Sequence, residues 1–224
     1  MNWVGSQSRA AATRSPAPER AGPRAERHRS LALAALVQKL PNGGVRVLDL
    51  GAASGTNIEF LSRYASKIQV EDLYPTLVEA GIAPEGDLPV GVQPEGEEPP
   101  APPPDFDGLL RFSESATFDL ILAWDLFDYL ERDAIRALVG YLSRFCRPGS
   151  LLLSLSWTTK QIPRQPLRFR FVDAETLLYE FGSDEMRGSP RYTPRDFGLM
   201  MAGFRVDQSF LLKTGVQEYL FART

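Results

Sequence analysis

The period of the apolar positions changes repeatedly along the chain, and each change predicts an element. Residues 45–50 (VRVLDL) are rich in β-formers and run into a glycine-containing turn, which predicts a strand. Residues 56–65 carry Ile58, Leu61 and Ala65 along one side of a helix. Residues 67–72 (KIQVED) predict a second strand. Residues 118–124 (FDLILAW) are almost wholly apolar, as in a strand covered on both faces. Over 131–146, Ala134, Ile135, Leu138, Val139, Leu142 and Phe145 recur at helical spacing, and Arg147-Pro148-Gly149 stops that helix. Residues 151–157 (LLLSLSW) give the next strand. A later helix opens with Thr193 as cap, Pro194 in the first turn and Asp196 three residues after the cap; Gly203 ends it. Residues 204–210 and 216–221 read as two consecutive strands around Lys213-Thr214-Gly215. The stretch 158–191 breaks the alternation. Within it Leu167, Phe169 and Phe171 alternate with Arg168 and Arg170, which predicts an edge strand with one buried face.

Strands alternating with helices imply a parallel sheet with right-handed crossovers. The predicted fold class is therefore α/β: a Rossmann-like doubly wound sheet, mostly parallel, with a C-terminal antiparallel hairpin strand. Residues 31–40 (LALAALVQKL) are too short an apolar run to span a bilayer, which needs roughly 20 residues, and lead to no cleavage pattern; they predict a core-packing helix. Residues 1–29 read as a disordered basic tail, in which Arg9, Arg14, Arg20, Arg24, Arg27 and Arg29 face only Glu19 and Glu26. Residues 30–224 read as one domain, interrupted at about 83–105 by a proline- and acid-rich insertion. Eight of the 18 prolines lie there, where missing amide donors and acidic repulsion both oppose regular structure. No membrane association is expected, and the cytoplasm is the expected compartment.

Composition mainly excludes. The chain has 224 residues, 43% hydrophobic and 24% charged, with a net charge of −3, which suits one soluble globular domain. One Cys closes no internal disulfide and builds no Cys-based metal site. One His removes most zinc sites and argues against a His-dependent triad; no metal is expected. A slightly acidic chain gives no reason to expect nucleic-acid binding.

The chemistry is carried by VLDLGAASGTN at 47–57, a strand running into a turn with Gly51 and Gly55 and then a helix. Small residues let backbone approach a ligand closely. Asp72 follows Asp49 by 23 residues, at the end of the second strand. In a doubly wound sheet that position lies beside the first loop, where a carboxylate accepts both hydroxyls of a ribose. The alternatives are a tight turn shaped by the glycines and a helix cap at Asp72.

These residues resemble the first motif of the class I S-adenosylmethionine-dependent methyltransferases, with Ala53 in place of the middle glycine. Asp72-Leu73-Tyr74-Pro75 resembles their second-strand signature. The segment from Phe118-Asp119-Leu120-Ile121 to Asp125-Leu126-Phe127-Asp128-Tyr129-Leu130 resembles the fourth-strand motif of the small-molecule branch, and Arg147-Pro148-Gly149-Ser150-Leu151 the turn before strand five. The resemblance implies S-adenosyl-L-methionine as cofactor. Gly51, Ala53 and Gly55 would line its methionine part, Asp49 would order the turn, and Asp72 with Leu73 would take the ribose. The acid usual after the third strand has no counterpart, because the insertion falls there; Asp107 and Phe112 are the candidates for adenine contact. Trp124 and Asp125 would face the reacting methyl group.

The reaction needs alignment more than proton shuttling. If a base takes part, Asp125, Tyr129 or Asp128 is available, and the single His is not. The strand-four end reads Ala-Trp-Asp-Leu, unlike the Asn/Asp-Pro-Pro-Tyr/Phe of amino methylases acting on bases, so a small-molecule O, N or C acceptor is expected. Lys160, Arg164, Arg168 and Arg170 form a positive cluster that reads either as recognition of an anionic substrate or as a solvated face. Cys146 reads as core, and His28 as a solvated bystander in the tail. Two other functions stay open: a cofactor-binding or degenerate relative acting through protein contacts, and a nicotinamide dehydrogenase, which the lack of GxGxxG spacing disfavours.

Overall fold

The computed structural model describes residues 24–84, 86–87, 102–113 and 115–224. Its centre is a six-stranded sheet. In chain order the strands are β2 (Val45–Asp49), β3 (Ala65–Val70), β4 (Phe118–Trp124), β5 (Cys146–Trp157), β10 (Phe204–Leu211) and β11 (Val216–Arg223). In space they run β10-β11-β5-β4-β2-β3. The pairs β2–β3, β2–β4 and β4–β5 are parallel, while β5–β11 and β10–β11 are antiparallel. The mostly parallel sheet with its terminal antiparallel hairpin is the one the sequence predicts.

Successive strand residues point to opposite faces, and both faces are covered. Leu48, Ile121 and Leu152 pack with the helices α3 (Leu73–Glu79), α4 (Arg132–Ser143) and α5 (Pro194–Met200) through Leu77, Ile135, Leu138 and Phe197. Val47, Leu120 and Leu153 face the other way, onto α1 (Leu31–Lys39) and α2 (Gly55–Leu61). A second, three-stranded sheet completes that layer: β1 (Ala25–Arg29), β8 (Thr176–Glu180) and β7 (Arg168–Phe171). Two short strands, β6 (Gln161–Pro163) and β9 (Met186–Gly188), pair with each other.

Several boundaries move. Helix α2 stops at Leu61 rather than 65, because Ala65 pairs with Val45 and opens β3. Helix α4 ends at Ser143 and α5 at Met200, with Gly203 at φ 82° in the turn beyond. The expectation of a disordered tail through residue 29 fails at residues 25–29. Residues 25–29 form β1, antiparallel to β8, and His28 is not a solvated bystander: it packs on Tyr179 with ring centroids 4.5 Å apart and meets Glu26 at 3.1 Å. The arginines around it hid a period-two pattern whose inward side meets β8. The rest of the expected tail (1–23) and most of the insertion (85 and 88–101) lie outside the described residues. The insertion's flanks are tied: Arg187 donates to the Pro84 carbonyl (3.1 Å) and the Gly188 amide to Asp87 Oδ1 (2.6 Å).

Candidate active site

A cavity of about 150 Å³ opens at the carboxyl ends of β2 and β4, where ligands bind in such sheets. Gly51, Asp72, Tyr74, Trp124, Asp125 and Arg168 are among its walls. Four segments separated in sequence thus converge: the turn after β2, the start of α3, the end of β4 and the approach to β7.

The turn is held by Asp49. Its buried carboxylate accepts from the Gly51 amide (3.0 Å) and the Trp124 indole N–H (2.6 Å), both at Oδ1. Burial lifts the Asp49 carboxyl to about 6, against the pull of donors on Trp124, Gly51 and Asn57. The Trp124 ring lies on Gly51: a Cβ there would stand 2.6 Å from the indole. Glycine is required at 51 for this approach. Trp124 itself takes a φ of 51°, rare for a bulky residue. It is held there by Asp49, by Ser154 Oγ donating to its carbonyl (3.1 Å), and by parallel stacking on Phe169 at 5.3 Å.

Phe169 is fixed in turn by Asn57, in the first turn of α2. The Asn57 Nδ2 group donates to the Phe169 carbonyl and its Oδ1 accepts from the Phe171 amide, both at 2.9 Å. The side chain acts as one more strand at the free edge of β7 and joins the glycine turn to the second sheet. Sequence reasoning assigned Asn57 no role. It stands inside the quoted motif, yet nothing in the sequence says that β7 will come to meet it.

Asp72 is exposed at the start of α3, lines the cavity and makes no side-chain cap bond. Leu73 is core; its amide donates to the Leu50 carbonyl (3.2 Å) and sets where α3 begins. Ala53 and Gly55 are exposed, and a Cβ on Gly55 would meet nothing within 4 Å. Asp125 is fully buried in the cavity wall. Its Oδ2 accepts from the Leu167 amide (3.2 Å) and Trp157 Nε1 (3.4 Å), while Oδ1 has no partner. Burial raises Asp125 to about 7. Asp128, also fully buried, accepts from Ser156 Oγ (2.8 Å) and the Trp157 amide (2.6 Å). Burial raises it to about 8, and the nearby Asp125 charge adds to that.

Three expected site residues lie elsewhere. Asp107 is exposed and pairs with Arg144 (2.9 Å), at the far end of α4. Phe112 packs edge-on against Phe118 and Phe145. Phe118 begins β4, so both residues sit at the sheet end opposite the cavity and are not placed for adenine. The insertion lengthens the path into β4 and returns the chain at the strand's start. Tyr129 is wholly buried; its hydroxyl donates to the Pro163 carbonyl (3.0 Å), Arg187 lies over its ring at 5.6 Å, and burial pushes it well above its usual value. It ties the turn after β4 to β6 and is not available as a base. Of the positive cluster, Arg168 alone lines the cavity and has no ion pair among the described residues; Arg170 pairs with Glu180 (2.9 Å) and Arg164 with Glu185 (3.5 Å). Burial pushes the Cys146 thiol up to about 12, so it is inert at neutral pH.

A family model described as "Methyltransferase domain" matches residues 25–209. The chain belongs to this family. It is a methyltransferase of the class I, S-adenosylmethionine-dependent kind that VLDLGAASG suggests. No curated protein sequence gives a significant match. Among solved structures, the methyltransferase is similar to CalS10, an amino pentose methyltransferase from Micromonospora echinaspora. That match has 13% identity, covers 86% of this chain and 89% of that one, and has a TM-score of 0.49. An S-adenosylmethionine-dependent methyltransferase from Clostridium acetobutylicum ATCC 824 matches at 12% identity, 86% and 91% coverage and a TM-score of 0.49. Streptomyces venezuelae DesVI matches at 12%, 86% and 89%, and 0.48.

The residues fit the cofactor in kind. The exposed Asp72 carboxylate suits a ribose diol, and Gly51 and Ala52 line the cavity beside it. In volume the cavity, at about 150 Å³, falls short of the about 300–1,000 Å³ usual for ligands of this size, because the Trp124 ring covers Gly51.

Proposed function

We propose that this methyltransferase moves the methyl group of S-adenosylmethionine to a small-molecule acceptor that carries an anionic group. The observation behind this reading is the meeting of Asp72, Gly51, Asp125 and Arg168 around one cavity. When bound, the cofactor supplies an electrophilic methyl on a sulfonium, so the chain has chiefly to align and desolvate. Asp72 takes the ribose hydroxyls, and the turn from Gly51 through Ala53 to Gly55 receives the methionine part. Asp49 holds that turn in shape. Leu73 acts by packing, keeping Asp72 at the cavity wall. Trp124 closes the site against water. Asp125 accepts a proton from the acceptor at Oδ1. Arg168, solvated and without an ion pair among the described residues, meets the acceptor's negative group.

No helix among the described residues is long and apolar enough to cross a membrane. We place the protein in the cytoplasm. Thermal unfolding tests the cofactor reading: S-adenosylhomocysteine should raise the melting temperature and NADH should not. A shift with NADH alone would overturn it.

A further inference from the structure

We infer that the acceptor presents an amino group, held as an ammonium by Asp125. The inference rests on the methyltransferase reading and names the substrate class for that same cavity. Asp125 is 0% exposed, lines the cavity, and has one carboxylate oxygen, Oδ1, without any donor. Its neighbour Asp128 is equally buried, and neither forms an ion pair among the described residues. Among the described residues the buried arginine nearby, Arg187, is turned to Tyr129 and the Pro84 carbonyl, with its Nε and Nη2 unpartnered. A carboxylate desolvated without a cation is costly, so burial favours the protonated form, and a positive group arriving beside it restores the ionised one. A hydroxyl would give Oδ1 a donor but would leave the charge uncompensated. An ammonium supplies both.

The other walls agree. Tyr74 lines the same space, and an aromatic side chain there favours a cation. Before transfer the ammonium must lose a proton. An N–H bond breaks, an O–H bond forms at Asp125 Oδ1, and the electron pair stays on nitrogen as the nucleophilic lone pair. Solvent later takes the proton from the carboxyl. Burial holds Asp125 at about 7, so it can take up and return that proton near neutrality. With Arg168 receiving an anionic group, the acceptor is an amine that carries its negative charge elsewhere in the molecule.

The test titrates benzylamine and benzyl alcohol, a pair differing in the cationic head, into the full-length protein with and without S-adenosylhomocysteine. Benzylamine should bind about tenfold more tightly, the ~1.4 kcal/mol that a charge-assisted bond adds. Asp125→Asn, which keeps the shape and removes the charge, should erase the difference. Equal binding of the two compounds by the unaltered protein overturns the inference, and that comparison needs no variant to fold. So does an amine preference that survives Asp125→Asn. A third result also overturns it: no amine preference, with Asp125→Asn weakening S-adenosylmethionine but not S-adenosylhomocysteine, would assign the carboxylate to the sulfonium. Absence of S-adenosylhomocysteine binding alongside a clear amine preference would sink the cofactor reading and leave the amine site standing.

Discussion

The indole N–H of Trp124 donates to Asp49 Oδ1 across 2.6 Å, and the same ring lies on Gly51. A first-motif acid is thereby engaged by a residue of the fourth strand, and the glycine turn is covered by an aromatic ring. A ligand that settles on this turn has to shift the ring. Intrinsic fluorescence should therefore change when S-adenosylhomocysteine binds, and the change should vanish in Trp124→Phe. Binding confirmed by calorimetry with unaltered emission would show that the ring stays where it is.

Asn57 joins the glycine turn to the second sheet. Asn57→Ala would strand the Phe169 carbonyl and the Phe171 amide at a buried edge, at a cost of about 1–3 kcal/mol. Urea unfolding should show that loss. Hydrogen exchange should show the Phe171 amide opening before the strands of the central sheet. Unchanged protection would mean that β7 is held by its other contacts.

Stability should fall as pH rises from about 5 to about 8. Burial raises Asp49 to about 6, Asp125 to about 7 and Asp128 to about 8. Unfolded aspartates titrate near 3.9, so in this window the folded chain holds more protons than the unfolded one. The stabilisation these groups give is full below about pH 4 and is lost as each ionises in the fold. Asp196 works the other way, but its lowered value of about 2 puts its loss at lower pH. Asp128 also faces Tyr129, Tyr192 and Tyr219, none of which ionises below pH 8. Asp128→Asn should flatten the slope of unfolding free energy against pH. A slope as steep as the parent's would place the linkage elsewhere.

The central sheet was legible because its strands carry their own signal. Leu120 to Trp124 is apolar on both faces, and the turn at Gly215 joins two β-rich runs. The acid pair Asp49 and Asp72 was legible because its spacing belongs to one βαβ unit. What stayed hidden depends on segments meeting late. Asn57 matters because β7, over a hundred residues on, brings Phe169 and Phe171 to it. The same approach turns Trp124 into a lid on Gly51. Asp107 and Phe112 were misplaced because the insertion breaks the register between sequence distance and position in the fold. His28 was misread because its arginine neighbours looked like a tail until β8 supplied a partner.

The central claim is that the cavity beside Gly51 binds S-adenosylmethionine through Asp72. Calorimetric titration of the cofactor into the parent protein and Asp72→Ala tests it most directly. Asp72 is exposed and caps nothing with its side chain, so its removal should leave the melting temperature unchanged. Saturable binding is predicted for the parent. The variant should bind about 5- to 150-fold more weakly, for a loss of about 1–3 kcal/mol in charge-assisted hydrogen bonds. Equal affinity in the two proteins, or no binding by the parent at millimolar cofactor, would contradict it.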